Sequence, residues 1–248
     1  MAKQQEGKSK RQAIREQRLK RQRRQNLIVI LVIGAIALVV AGLLIYPSIK
    51  QATAPVGTIV QITPRALPSP NSTALGDPNA KVTVEVWEDF QCPVCNEFTQ
   101  QIEPQIIANF VANGKVHYIF HNYPFLDTGV ATQESHQAAN AGMCAAEQGR
   151  FWDYHDMLFA NWIGENQGSY TDKRLTAFAQ ALNLDMTKFN ACFKANKYRT
   201  QIEQDKTAGD QAGVSGTPSV FVNGKELSPG SVPSFDQISA AINAALAQ

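Results

Sequence analysis

Cysteine is scarce in this sequence. The 248 residues contain four, Cys92, Cys95, Cys144 and Cys192. That density excludes a small secreted scaffold held together mainly by disulfides. A zinc knuckle needs four ligands, commonly from a second close pair, and Cys144 and Cys192 lie about 48 positions apart. No metal site is expected. The domain shows no internal repeat and no low-complexity tract, which excludes a repeat array. Acidic residues are nearly missing from the first 26 positions, where ten Lys and Arg face only Glu6 and Glu16, a net +8. The whole chain carries +2, so the remainder carries −6. From Leu27 to Ile45 polar side chains are absent altogether.

That run of about 19 apolar residues and glycines is about 28 Å long as a helix, close to the hydrocarbon thickness of a bilayer. Basic residues packed against one end keep that end cytoplasmic. The arm at 1–26 therefore reads as a cytoplasmic tail and 27–45 as a transmembrane anchor, and no nucleic-acid partner is expected. Ala52-Thr53-Ala54 resembles a signal-peptide cleavage site, but Pro55 follows it and the apolar core is long for a signal peptide. The segment is read as an uncleaved signal-anchor.

Residues 46–75 form a Pro-rich linker, expected to be extended and to hold the domain off the membrane surface. The domain at 76–248 opens with a strand at Val82–Trp87, a helix from Val94 to about Ala112 ended by Gly114, and a strand at Val116–Phe120. This is a βαβ unit with a parallel pair. A helical region follows from about 132 to 212, with breaks at Gly149, Gly164–Ser169 and Leu184-Asp185, and with Thr171 and Asp185 as N-caps. Ser219–Val222 and Lys225–Leu227 flank Asn223-Gly224, a hairpin signal. Ser234 to Gln237 is a capping box opening a last helix. The fold class is α/β: a thioredoxin-like fold with an inserted helical subdomain, preceded by one N-terminal transmembrane helix.

A Cys-x-x-Cys pair is redox-active or binds metal. Cys92 is placed at the start of the helix after the first strand, where the dipole and free N–H groups favour a thiolate. Cys95, one turn on, can resolve a mixed disulfide. Pro93 suits the first helical turn. A four-residue ring constrains the unfolded chain by only about 2 kcal/mol, so the bond favours exchange over storage. Zinc, Cu(I) carriage and a purely structural disulfide are the alternatives.

Gly76-Asp77-Pro78-Asn79-Ala80-Lys81-Val82-Thr83-Val84, followed by Asp89-Phe90-Gln91-Cys92-Pro93-Val94-Cys95, resembles the DsbA-like thioredoxin family, especially its membrane-tethered bacterial branch. Gln148–His155 looks like a helix of that family's insertion, and Gly213-Val214-Ser215-Gly216-Thr217-Pro218-Ser219 like its cis-proline loop. The resemblance implies that Pro218 is cis and that Thr217 offers backbone groups to an extended substrate. Two positions depart from the family. Its buried acid, six residues before the first cysteine, is here Val86. Glu85 is adjacent but on the opposite strand face, and Glu88 and Asp89 fall toward the loop; all three are expected to be solvated carboxylates. The dipeptide is Pro93-Val94, where strong oxidants carry histidine at the second position, so Cys92 is expected to be less acidic than in those enzymes. Cys144 and Cys192 are expected to form a structural disulfide, with two buried free thiols as the alternative. His117, His121, His136 and His155 are read as structural or surface residues, and Trp87, Phe151, Trp152 and Phe159 as core.

The function expected is that of an extracytoplasmic protein-disulfide oxidoreductase. It oxidises dithiols of exported proteins through Cys92–Cys95, without a further cofactor, and is reoxidised by a membrane thiol oxidase or electron-transfer partner. A membrane-tethered reductase or isomerase is the alternative within enzymes, and a thiolate copper carrier the alternative outside them.

Overall fold

The computed structural model describes residues 2–53, 55–130 and 132–248. They fall into two compact units, Met1–Lys50 and Gln51–Gln248. The first consists of helix α1 (Ala2–Thr53), within which Arg15–Tyr46 is long and apolar enough to cross a membrane. The side chains of Leu27–Ile45 are all exposed. In water that surface would be unfavourable by about 25 cal/mol per Å², which is the physical case for a lipid environment.

The second unit is built on a five-stranded sheet in the order β1-β3-β2-β4-β5. β2 (Val82–Glu88) and β3 (Val116–Asn122) pair in parallel, with Val82 opposite Val116 and Glu88 opposite Asn122. β4 (Ser219–Val222) runs antiparallel to β2, and β5 (Lys225–Leu227) folds back on β4. Asn223 and Gly224 between them both have positive φ, 48° and 74°, the conformation a two-residue hairpin turn requires. The two-residue strand β1 (Ala74–Leu75), antiparallel to β3, was not expected from the sequence; a strand that short carries no period.

Helices α2 (Pro93–Gln101) and α3 (Glu103–Ile106), then a π-helical turn at Ile107–Val111, connect β2 to β3. The single helix expected over 94–112 is thus divided. Pro104 explains the division: it has no N–H to bond the carbonyl one turn back, and its ring crowds that carbonyl, so a new helix starts there. The insertion contains α4 (Glu134–Ala146), α5 (Phe151–Ala160), α6 (Asp172–Ala181), α7 (Met186–Lys194) and α8 (Arg199–Ala212). Thr171 and Asp185 cap α6 and α7 by accepting backbone N–H groups. Ser234 and Gln237 form the capping box of α9 (Phe235–Leu246), which packs on β4, β2 and α3.

One continuous core joins sheet and insertion. Val82, Val84 and Val86 meet Phe90, Phe98, Tyr118 and Phe120, and the same cluster runs on into Phe151, Tyr154, Phe178 and Phe189. A smaller cluster, Trp87, Tyr123, Val214 and Phe221, lies apart from it. Trp87, Phe151, Trp152 and Phe159 are all buried.

The linker, expected to be extended, is also held against the domain. Residues 55–67 form no helix or strand, but they are strapped to the domain. The Val60 N–H donates to Asn161 Oδ1 at 2.8 Å, and Asn161 Nδ2 donates to the Val60 carbonyl at 3.0 Å. Arg174 Nη1 donates to the Val56 carbonyl at 2.6 Å. Ile59, Ile62 and Leu67 pack against the core. Prolines make the segment extended, but its apolar residues and Arg65 have partners on the domain, so it docks.

Candidate active site

Cys92 is the N-cap of α2 in extended conformation (φ −72°, ψ 122°), and Pro93 follows in the first turn. The turn before it is fixed by Asp89: the Cys92 N–H donates to the Asp89 carbonyl at 2.9 Å, and the Gln91 N–H donates to Asp89 Oδ1 at 2.8 Å. Cys92 is 6% exposed and Cys95 fully buried; the two are not bonded to each other here. The Thr217-Pro218 peptide bond is cis, and the Thr217 carbonyl oxygen lies 3.4 Å from Cys92 Sγ. Val94, Thr217, Pro218 and Val232 line a shallow groove beside the sulfur. Fold and sequence distance are thus reconciled: α2 brings Cys92, Pro93, Val94 and Cys95, and the loop entering β4 brings Thr217 and Pro218 to the same place.

The two sulfurs are electrostatically unlike. A hydrogen bond from the Cys95 thiol does most to lower the Cys92 pKa, to about 6; burial opposes it, and the Thr217 side chain and the N–H groups of Cys95 and Val94 assist. Burial pushes the Cys95 thiol well above its ordinary value, and its hydrogen bond to Cys92 and the charge of Glu88 add to this. Cys92 is therefore the more acidic of the two sulfurs, the one suited to attack as a thiolate, and the Cys95 proton lies inside the protein.

A buried carboxyl group lies beside that proton. Glu88 closes β2 and is 1% exposed. It accepts a long hydrogen bond, 3.5 Å, from Thr99, one turn beyond Cys95 on α2. Burial, then the charges of Glu103 and Cys92, raise its pKa well above the usual carboxylate range. Glu88, Glu103 and His155 each present an atom within 4.8 Å of the others, all buried. These three could offer ligands to a cation; the cation beside them in this structure is the Arg65 guanidinium, 3.0 Å from Glu103. Glu88 and Asp89 thus depart from the solvated carboxylates expected. Asp89 is buried, holds the turn before Cys92, and is pushed by burial up to about 7. Glu85 is half-buried and pairs with His121 at 3.2 Å.

The sequence held a signal for Glu88. Strand side chains alternate with period two, so residue 88 shares a face with residue 86, where an acid was sought. Trp87 and Glu88 are both buried because β2 ends there under the insertion helices. Glu103, His155 and Arg65 carried no comparable signal, since only packing brings α3, α5 and the strap together.

A family model described as thioredoxin matches residues 68–244 of this chain. The chain is 26% identical over 174 residues to the probable disulfide bond formation protein D of Bacillus cereus, covering 68% of this chain and 76% of that one. It is 36% identical over 150 residues to Na(+)/H(+) antiporter NhaA 3 of Salinispora tropica, but spans only 21% of that protein's length and 60% of its own. The crystal structure of oxidised BdbD from Bacillus subtilis superposes with a TM-score of 0.63 at 25% identity, covering 73% of this chain and 97% of the other. The chain belongs to the thioredoxin family, in its DsbA-like branch.

Within this DsbA-like domain Cys144 and Cys192 are bonded to each other, with Cα atoms 5.8 Å apart, and tie α4 to α7. His155 is buried between Glu103 and Asp156, and His136 bridges Asp127 and Glu203. His136 and Asp127 also steady the loop near Gln91, whose side chain donates to Asp127 and Ser135.

Proposed function

We propose that this chain is a membrane-anchored protein-disulfide oxidoreductase that oxidises dithiols of exported proteins. The carrying observation is the placement of the pair: Cys92 caps the N-terminus of α2 with its Sγ 3.4 Å from the Thr217 carbonyl of the cis-proline loop, and Cys95 is fully buried one turn on. In keeping with that placement the Cys92 pKa is lowered to about 6 and that of Cys95 raised. A stabilised Cys92 thiolate stabilises the reduced form, which makes the disulfide an oxidant. A substrate thiolate attacks Cys92 Sγ, the Cys92–Cys95 bond breaks, and Cys95 leaves and takes a proton from Glu88. The second substrate thiolate then attacks the substrate sulfur of the mixed disulfide and expels Cys92 as a thiolate. The substrate is oxidised by two electrons and the enzyme reduced by two.

Thr217 backbone groups and the groove beside Val94 orient the extended substrate chain. A membrane thiol oxidase or electron-transfer protein removes the electrons, and no cofactor beyond the Cys92–Cys95 disulfide takes part. α1 anchors the domain outside the cytoplasm with its basic end inside. A copper carrier would want two ready thiolates, and the buried, protonated Cys95 argues against one. A reductase or isomerase would keep Cys92 reduced in cells.

The test is Cys95→Ser in the full chain. It removes the resolving thiol, so Cys92 should accumulate in mixed disulfides with exported proteins, seen as slower bands that collapse on reduction. Alkylation of the wild-type chain in intact cells should find the pair oxidised. A reduced pair would reverse the direction, and unchanged dithiol oxidation by Cys95→Ser would mean the roles are misassigned.

A further inference from the structure

Arg65 lies on the strap, outside the thioredoxin fold, yet reaches the buried groups behind the redox pair. Its Nε and Nη2 donate to the two oxygens of Asp156, each at 2.6 Å, and Nη2 also donates to Glu103 at 3.0 Å. Glu103 is fully buried and shares a pocket with Glu88 and His155. One oxygen each of Glu88 and Glu103 and the Nε2 of His155 are buried with no hydrogen-bond partner. Two carboxyl groups so close and so dry cannot both ionise cheaply, and their protons belong to the pair. The strap also walls a groove from Thr99 to solvent, lined by Ile62, Thr63, Arg65, Thr99, Asp156 and Phe159.

We propose that Arg65 is a positioning residue that sets the proton occupancy of the Glu88–Glu103 pair, and with it the pH range in which Cys95 resolves a mixed disulfide. The inference rests on the reading of Cys95 as the resolving cysteine and extends it to the linker. The groups facing Glu88 are Cys92, Cys95 and Thr99 from α2, Glu103 from α3, Tyr118 from β3 and His155 from α5, while Asp156 and the strap's Arg65 face Glu103. Arg65 is the one cationic side chain among them that stays charged at every working pH. In reoxidation the Cys95 thiol gives its proton to the Glu88 carboxylate and Cys95 Sγ attacks Cys92 Sγ. The bond to the partner sulfur breaks, the partner leaves as a thiolate, and the Cys92–Cys95 bond forms. Glu88 must be ionised to accept that proton. Burial and the charge of Glu103 hold its pKa up, and Arg65, by favouring the ionised form of Glu103, keeps that charge in place and the pair's proton on Glu88. The proton then leaves past Thr99 along the groove the strap helps to form.

The experiment uses the full chain in detergent micelles, with Cys92 loaded as its mixed disulfide with glutathione. The rate at which Cys95 expels glutathione is followed against pH by acid quench and mass spectrometry. In the wild type the rate should rise as Glu88 ionises. Arg65→Gln should move that rise down by roughly one pH unit, a roughly tenfold faster rate at a fixed pH on the limb, because Glu103 then ionises less readily. Arg65→Lys, which keeps the charge, should stay near wild type. Glu103→Gln should move the rise down, because Glu88 then lacks its anionic neighbour, and this variant carries the test alone if Arg65→Gln fails to fold. A limb unmoved or raised in Arg65→Gln, or displaced equally in Arg65→Lys, would overturn the proposal, as would a limb in Glu103→Gln that fails to fall. Failure of the wild-type chain to load at Cys92 or to expel glutathione would instead overturn the underlying reading of the cysteine pair.

Discussion

Val94 stands between the two cysteines, 41% exposed, on the rim of the substrate groove. It supplies neither a donor nor a charge to the neighbouring sulfur, so the low Cys92 pKa comes from the Cys95 thiol, the Thr217 side chain and the backbone of α2. Val94→His would add a hydrogen bond or a positive charge beside the thiolate. A charge-assisted bond contributes about 1.5–3 kcal/mol when dry, and exposure reduces it. The expected outcome is a lower Cys92 pKa and a reduction potential raised on the order of 30 mV, since about 1.4 kcal/mol corresponds to about 30 mV for two electrons. Thiolate absorbance against pH and equilibration in glutathione buffers measure the two; an unchanged pKa would leave control with the helix end and the cis-proline loop. Cys92 and Cys95 could be found from spacing alone because the Cys-x-x-Cys chemistry is local. Glu88 could have been found from strand period, but its burial could not: an acid at a strand end is ordinarily solvated, and only the packing of α2, α3 and α5 around the end of β2 excludes water from it.

Among elements, α8 shows how closely the insertion is fitted to the sheet. A Cβ added at Gly209 would lie 2.8 Å from the Trp87 ring and 2.9 Å from Tyr123, both rigid and buried. Gly209→Ala should force α8 away from β2 and destabilise the domain by about 1–3 kcal/mol, the usual range for overpacking. Thermal unfolding of the full chain in detergent reads this; a melting temperature equal to wild type would mean that α8 shifts without cost. Strands β2 to β5, the hairpin at Asn223-Gly224 and the caps at Thr171, Asp185 and Ser234 were legible in sequence because each is governed by nearest neighbours. The division of α2 from α3 at Pro104 was legible in principle, since proline acts on its own preceding turn. The docking of residues 55–67 was not, because proline content reports local stiffness and says nothing of the distant partners, Asn161, Asp156 and Glu103, that hold the segment down.

For the whole molecule, the bond between Cys144 and Cys192 closes a long loop across α4 and α7. In the chain-entropy model a loop of about 49 residues is worth about 4 kcal/mol. The paired Cys144→Ala, Cys192→Ala variant should lose up to that much stability, read by denaturation of the full chain, while keeping thiol exchange at Cys92; an unchanged stability would mean that the unfolded chain is already compact. The charge pattern around the apolar run predicts an external domain. Protease added to intact spheroplasts should digest the domain beyond residue 46, and digestion only after lysis would invert the orientation. The sequence by itself determined the apolar run, the strands β2 to β5 and the Cys-x-x-Cys pair, because continuous hydrophobicity, residue period and short spacing are properties of neighbouring positions. The tertiary structure alone decided which sulfur is acidic, which carboxyl group lies behind the buried one, and that a linker arginine reaches that carboxyl pair. Each of these depends on desolvation and charge between groups far apart in the chain, and such groups meet only when the core closes around them.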